Sequence, residues 1–95
     1  MSDYYDRRGK PIKRKEWHAL YQGENKRVAL TERGDVLVST VWLGVDHRIG
    51  DGPPLIFETM VFGGPLSKHH VRYSTEAEAL AGHAEICSAA FRSEQ

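Results

Sequence analysis

Asp46, His47, Arg48, Asp51 and two glycines, Gly50 and Gly52, are packed into the stretch DHRIGDG, which runs straight into Pro53-Pro54. Residues of these types can hold an anion. Glycines at 50 and 52 permit positive φ, which lets backbone N–H groups point inward as a nest. Arg48 offers a guanidinium fork to phosphate or carboxylate, and His47 offers a further donor. Trp42 and Tyr73, in the flanking segments, supply rings that stack on a base. Arg72 adds a second cation beside Tyr73. Together Trp42, Asp46, His47, Arg48, Gly50, Asp51, Gly52, Arg72 and Tyr73 form a ligand-binding set suited to a nucleotide-like small molecule. The same stretch also fits a rigid structural loop, with Asp46 and Asp51 hydrogen-bonded to their own backbone and the prolines stiffening its end. GDG alone is neither a Walker loop nor a dinucleotide fingerprint.

Metal and catalytic chemistry find less support. The five histidines are His18, His47, His69, His70 and His83. None forms H-E-x-x-H, and no cysteine joins them in zinc-finger spacing. His69 and His70 are adjacent, so on a strand they face opposite ways. Asp46, His47, Asp51 and His69 make a metal site only if the fold brings them together, and solvated loop histidines are the simpler reading. No metal or cofactor is expected. There is no G-x-S-x-G elbow, and Cys87 falls on the apolar stripe of a helix, as a small core residue does. Glu58 is the one acid inside an apolar strand. Buried alone it would titrate high and serve as an acid or base; paired with Arg72 on the neighbouring strand it is structural, and the pair is the better fit. The chain is not expected to be an enzyme.

The elements that must position these residues follow from patterning. Tyr4 and Tyr5 begin a short strand, and DRRG is a turn. PIKRKEWHALYQG suggests a short helix, with Pro11 in its first turn, an apolar stripe of Ile12, Trp17, Leu20 and Tyr21, and Gly23 as its stop. Val28 to Glu32 and Asp35 to Val45 form a hairpin about RGD. Leu55 to Phe62 is a third long strand, ended by GGP, and Val71 to Tyr73 a fourth. STEAEALAGHAEICSAAFR closes the fold as a helix. Thr75 and Glu78 stand in capping-box spacing, and Ala77, Leu80, Ala84, Cys87 and Phe91 form its expected buried stripe. The architecture is α+β: an antiparallel β-sheet of three to five strands with a short N-terminal helix and a longer C-terminal helix. The second and third long strands carry apolar residues on both faces, whereas a one-sided sheet alternates. The C-terminal helix covers one face. The other is met by a second subunit or a partner, or else the first helix and the N-terminal arm cover it within one chain.

Ninety-five residues make one domain over 1–95, too small to bury a large core, and self-association is a common remedy. With one sheet face short of cover, a homo-oligomer is the expected state. Hydrophobic residues make up 40% and charged residues 27%, and the formal net charge is +0, which argues against general nucleic-acid binding. The run Lys13 to Lys15, with Arg7, Arg8 and Lys10, is diluted by Asp3, Asp6 and Glu16 and reads as a solvated face. No apolar run reaches membrane-spanning length, and MSDYYDRRGK lacks the apolar core of a signal peptide. One cysteine permits no intrachain disulfide, which suits a reducing, cytoplasmic setting.

YYDRRGKPI, VSTVWLGVDHRIGDGPPLIFETMVFGG and RYSTEAEALAGH resemble a family of small proteins of tailed phages and prophages, over roughly Tyr4 to His83. Lys13 departs from that pattern, where a small hydroxyl residue capping the first helix is expected. The resemblance implies no defined activity. It implies a setting in the host cytoplasm, in which small non-structural phage proteins often act against host defences. The expected function is a non-enzymatic binding protein, in its most concrete form a sponge for a nucleotide immune signal. The alternative is an inhibitor of a host defence protein, such as an anti-CRISPR or an effector blocker. A small metal-dependent enzyme using Glu58 or Asp46 ranks third.

Overall fold

The computed structural model describes residues 3–23 and 26–92. In chain order they form β1 (Tyr4–Tyr5), β2 (Pro11–Ile12), α1 (Arg14–Gln22), β3 (Arg27–Arg33), β4 (Val36–Trp42), β5 (Phe57–Phe62), β6 (His70–Tyr73) and α2 (Glu76–Arg92). The α+β architecture is the expected one. It has a two-stranded antiparallel arm, β1-β2, and a four-stranded antiparallel sheet in the order β3-β4-β5-β6. Each strand of the sheet is a chain neighbour of the next, so no crossover is needed.

Several boundaries differ from expectation. Pro11 and Ile12 lie in β2, opposite Tyr5 and Tyr4, and not in a helix. The reason is local: the Asp6 carboxylate accepts from the Arg8 and Lys10 N–H groups at 2.9 and 2.8 Å, folding DRRG back on itself. Proline's fixed φ suits an edge strand as well as a first helical turn. α1 therefore starts at Arg14, and Glu16 reaches back to the Lys13 N–H at 3.2 Å. Ile12 is off its stripe, and no α1 residue is fully buried. β4 stops at Trp42, short of Val45. Gly44 adopts φ +76°, and a Cβ there would run into the indoles of Trp17 and Trp42.

α2 packs across one face of the sheet, against β3, β4, β5 and β6. Val36, Val38, Thr40 and Trp42 are buried beneath it, with Phe57, Thr59 and Val61 beside them. The helix begins with the expected box: Thr75 Oγ1 accepts from the Glu78 N–H at 3.1 Å, and Glu78 Oε1 accepts from the Thr75 N–H at 3.1 Å. Its buried stripe is a correction. Ala79, Gly82, His83, Ile86, Ala90 and Phe91 face the sheet, whereas Ala77 and Ala84 are exposed, Cys87 is half-buried and Leu80 is 47% exposed. The sheet supplies the bulk here, through Trp42 and Phe57, so the helix buries small residues and approaches closely. Gly82 marks the nearest point: a Cβ on it would overlap the Tyr73 ring.

The opposite face is not covered by either helix. Leu30 and Phe62 are 43% and 48% exposed there, and Leu37, Val41 and Met60 are half-buried. α1 packs instead on the arm and the end of the core. Trp17 lies between Tyr4 and Tyr21, each 5.0 Å away between ring centroids, and donates to the Leu43 carbonyl at 2.9 Å.

Candidate functional site

The connection from Asp46 to Pro54 closes upon itself. Asp46 Oδ1 accepts from the backbone N–H groups of Arg48 and Leu55 at 2.9 and 3.0 Å. Its Oδ2 pairs with Arg48 Nε at 2.8 Å, and a terminal nitrogen of Arg48 donates to the Gly52 carbonyl at 2.6 Å. Gly50 and Gly52 do adopt positive φ, +83° and +116°. The guanidinium expected to grip a ligand thus clamps the loop. His47 and Asp51 are exposed on its rim.

The remaining members of the expected set are dispersed. Trp42 is only 1% exposed, and its indole donates to the Tyr5 carbonyl at 3.2 Å, so no ring face is free to stack. Tyr73 packs into the same apolar cluster as Trp42. Its hydroxyl is buried without a hydrogen-bond partner among the described residues. Arg72 faces the other side of the sheet and pairs with Glu58 at 3.0 Å, as its register predicts. Among the described residues, no three of the His, Cys, Asp and Glu side chains group as metal ligands.

A groove of about 770 Å³ lies at the far end of this connection. One wall is the arm, through Tyr5, Arg7, Arg8 and Gly9. Another is Pro53, Pro54 and Ile56. The third is the start of α2, through Ser74, Thr75 and Glu76. Arg7 pairs with Glu76 at 2.9 Å and spans the groove from arm to helix. Arg8 is exposed, and its guanidinium forms no ion pair among the described residues. The first-turn N–H groups of α2 that Thr75 does not cap add partial positive charge at the same end, offset by the Glu76 and Glu78 carboxylates of that turn. The groove therefore joins one unneutralised cation, hydroxyls and a helix N-terminus to an apolar wall of proline, isoleucine and tyrosine.

By sequence pattern Arg7 and Arg8 belong to a solvated face. The signal available was the Asp6 turn, which folds the two arginines onto an arm. Their meeting with residues near 75 is a contact across the whole chain and has no local signature. A second group was also missed. His83 is buried between α2 and the sheet, with Nδ1 2.7 Å from Thr40 Oγ1 and Nε2 2.9 Å from Thr31 Oγ1. Thr40 in turn hydrogen-bonds Thr59. Burial lowers the His83 pKa, favouring the neutral imidazole. Its placement three residues from Ile86 and four from Ala79 is the helical spacing that marks a core position.

No family model matches the chain, and no curated protein and no solved structure is significantly similar to it. No helix among the described residues is long and apolar enough to cross a membrane.

Proposed function

We propose that this chain is a non-enzymatic binding protein whose groove takes an anionic, nucleotide-type small molecule. One observation carries the reading: Arg8, the N-terminal end of α2 and an apolar wall line the same space. A phosphate there meets the Arg8 fork and the uncapped helix N–H groups. A base or sugar lies against Pro53, Pro54 and Ile56. Among the described residues the lining holds no histidine, cysteine or aspartate, and its one carboxylate, Glu76, is tied to Arg7. Such a lining supports capture without turnover. The likeness to small phage proteins supplies the setting, in which capture of a nucleotide immune signal counters host defence. A second reading, an inhibitor of a host defence protein, draws on the apolar sheet face that neither helix covers.

Native mass spectrometry with a pool of cyclic dinucleotides, cyclic mononucleotides and ADP-ribose tests the first reading. An added, unmodified nucleotide mass is the expected result, lost in Arg8→Ala with the melting temperature unchanged. Binding that survives Arg8→Ala undiminished sinks the groove assignment. No added mass from any of these ligands sinks the nucleotide reading.

A further inference from the structure

The uncovered face of the sheet is remote in chemistry from the groove, and we infer that it is the contact surface between two copies of this chain. Strand register sets out what the face presents. At one end Glu32 stands opposite Leu37, which stands opposite Phe62. At the other end Arg27 stands opposite Val41, Val41 opposite Glu58, and Glu58 opposite Arg72, with which it pairs. The middle row carries Leu30, Ser39, Met60 and His70. Glu32 and Arg27 are both exposed, and neither has an ion pair among the described residues. They lie at opposite ends of β3, roughly 16 Å apart at about 3.3 Å per residue, too far to satisfy each other within one chain.

A two-fold axis at right angles to the strands, passing between Ser39 and Met60, solves this. It lays each end of one face on the other end of its copy. Glu32 then meets the partner's Arg27, and symmetry makes the pair twice. Leu37 meets the partner's Val41, Phe62 lies over the partner's Glu58–Arg72 pair, Ser39 and Met60 meet their own copies at the centre, and the Leu30 side chains meet at the edge. The receiving end is already shaped for this. Gly23, Lys26, Arg27, Ser39 and Val41 border a shallow depression of about 590 Å³, cationic at its rim, with Val41 as its apolar side chain. A two-fold axis along the strands would instead set Arg27 against the partner's Arg72, like against like. The net charge of +0 leaves no long-range repulsion between copies.

Four strands about 4.8 Å apart and about seven residues long give roughly 400 Å² in projection. That is about half the area per partner of a standard interface, so a weak, concentration-dependent dimer is expected. Sedimentation equilibrium of the full chain from about 1 µM to about 200 µM reads this directly. A monomer–dimer equilibrium is expected. Glu32→Arg and Arg27→Glu should each weaken it about tenfold or more, and the double variant should recover to within a few-fold of the original. The exposed positions leave the fold intact, which an unchanged melting temperature checks. A chain that stays monomeric throughout overturns the inference and leaves the face to an unlike protein. A dimer indifferent to both substitutions, or one that the double variant does not restore, overturns it equally.

Discussion

His83 Nδ1 lies 2.7 Å from Thr40 Oγ1, which ties the middle of α2 to the centre of the sheet by a polar contact within an apolar layer. The other ring nitrogen meets Thr31, so a neutral ring has one donor and one acceptor placed between two hydroxyls able to reverse roles. A protonated ring has two donors and adds a buried charge with no carboxylate among its hydrogen-bond partners. The folded state therefore resists protonation, and the His83 pKa falls. An unfolded histidine titrates near about 6.5. Above that value this contribution to stability is complete. As pH falls through it, the unfolded chain takes up the proton first and stability declines toward the lower, folded pKa. Melting curves between about pH 7.5 and pH 5 should show the original chain losing more stability than His83→Gln. At neutral pH the variant should be less stable by about 1–3 kcal/mol, because threonine hydroxyls lose their partner. Equal slopes for the two proteins would remove His83 from the account.

Tyr73 tests the difference between a core ring and a ligand-stacking ring. Its hydroxyl is buried and unpartnered among the described residues. Tyr73→Phe removes that cost and should leave stability unchanged or raise it by up to about 1 kcal/mol. Nucleotide binding in the groove should be unaffected. A variant that keeps its melting temperature and loses binding would return Tyr73 to the site.

Arg48→Ala separates the two readings of the connection. The side chain bridges Asp46 and the Gly52 carbonyl, so its loss should loosen residues 46–52 and lower stability by about 1–2 kcal/mol. Ligand affinity should change little, since Arg48 does not line the groove. Loss of binding at full stability, read by calorimetry and thermal melting together, would move the site back to the connection.

Lys13 is the N-cap of α1, and its side chain cannot accept from the first-turn N–H groups. Glu16 already supplies the other half of a capping box. Lys13→Ser should therefore stabilise the protein by about 0.5–1 kcal/mol, seen as a rise in denaturant midpoint with an unchanged slope. A lower midpoint would show that the lysine contributes something a cap does not.

The strand alternation was legible because its period is two. It placed Val36, Val38, Thr40 and Trp42 on one face and paired Glu58 with Arg72, and both relationships are present. The phase of α2 was not. Following the largest apolar residues led to Leu80, but a helix seated closely on a bulky sheet buries Ala79, Gly82 and Ala90 instead. His83 was hidden for the same reason, since its polarity drew attention to metal ligation and not to depth. At the connection the residue types were read correctly as a special loop, but types alone do not say whether Arg48 reaches outward or clamps Asp46. Arg7 and Arg8 became groove residues only through Glu76, a contact between positions 69 apart in sequence.

The arm makes one wall of the groove, while the other two belong to the body of the domain. It is held by the Tyr5 N–H on the Gly44 carbonyl at 2.8 Å, by the Asp46 N–H on the Asp3 carbonyl at 3.0 Å, and by the span from Arg7 to Glu76. Tyr5 is also buried with Trp42, Ile56, Phe57 and Ala79, whereas the second apolar cluster, of Val36, Val38, Val61, Ile86, Ala90 and Phe91, does not include the arm. Undocking the arm therefore opens the Trp42 end of the core, while the Val36–Phe91 cluster stays closed. The groove exists only while the arm is docked, so occupancy and docking are one equilibrium. Hydrogen exchange at the amides of Tyr5 and Asp6 becomes a gauge of what fills the groove, and a substitution that merely loosens the arm lowers affinity without touching the ligand.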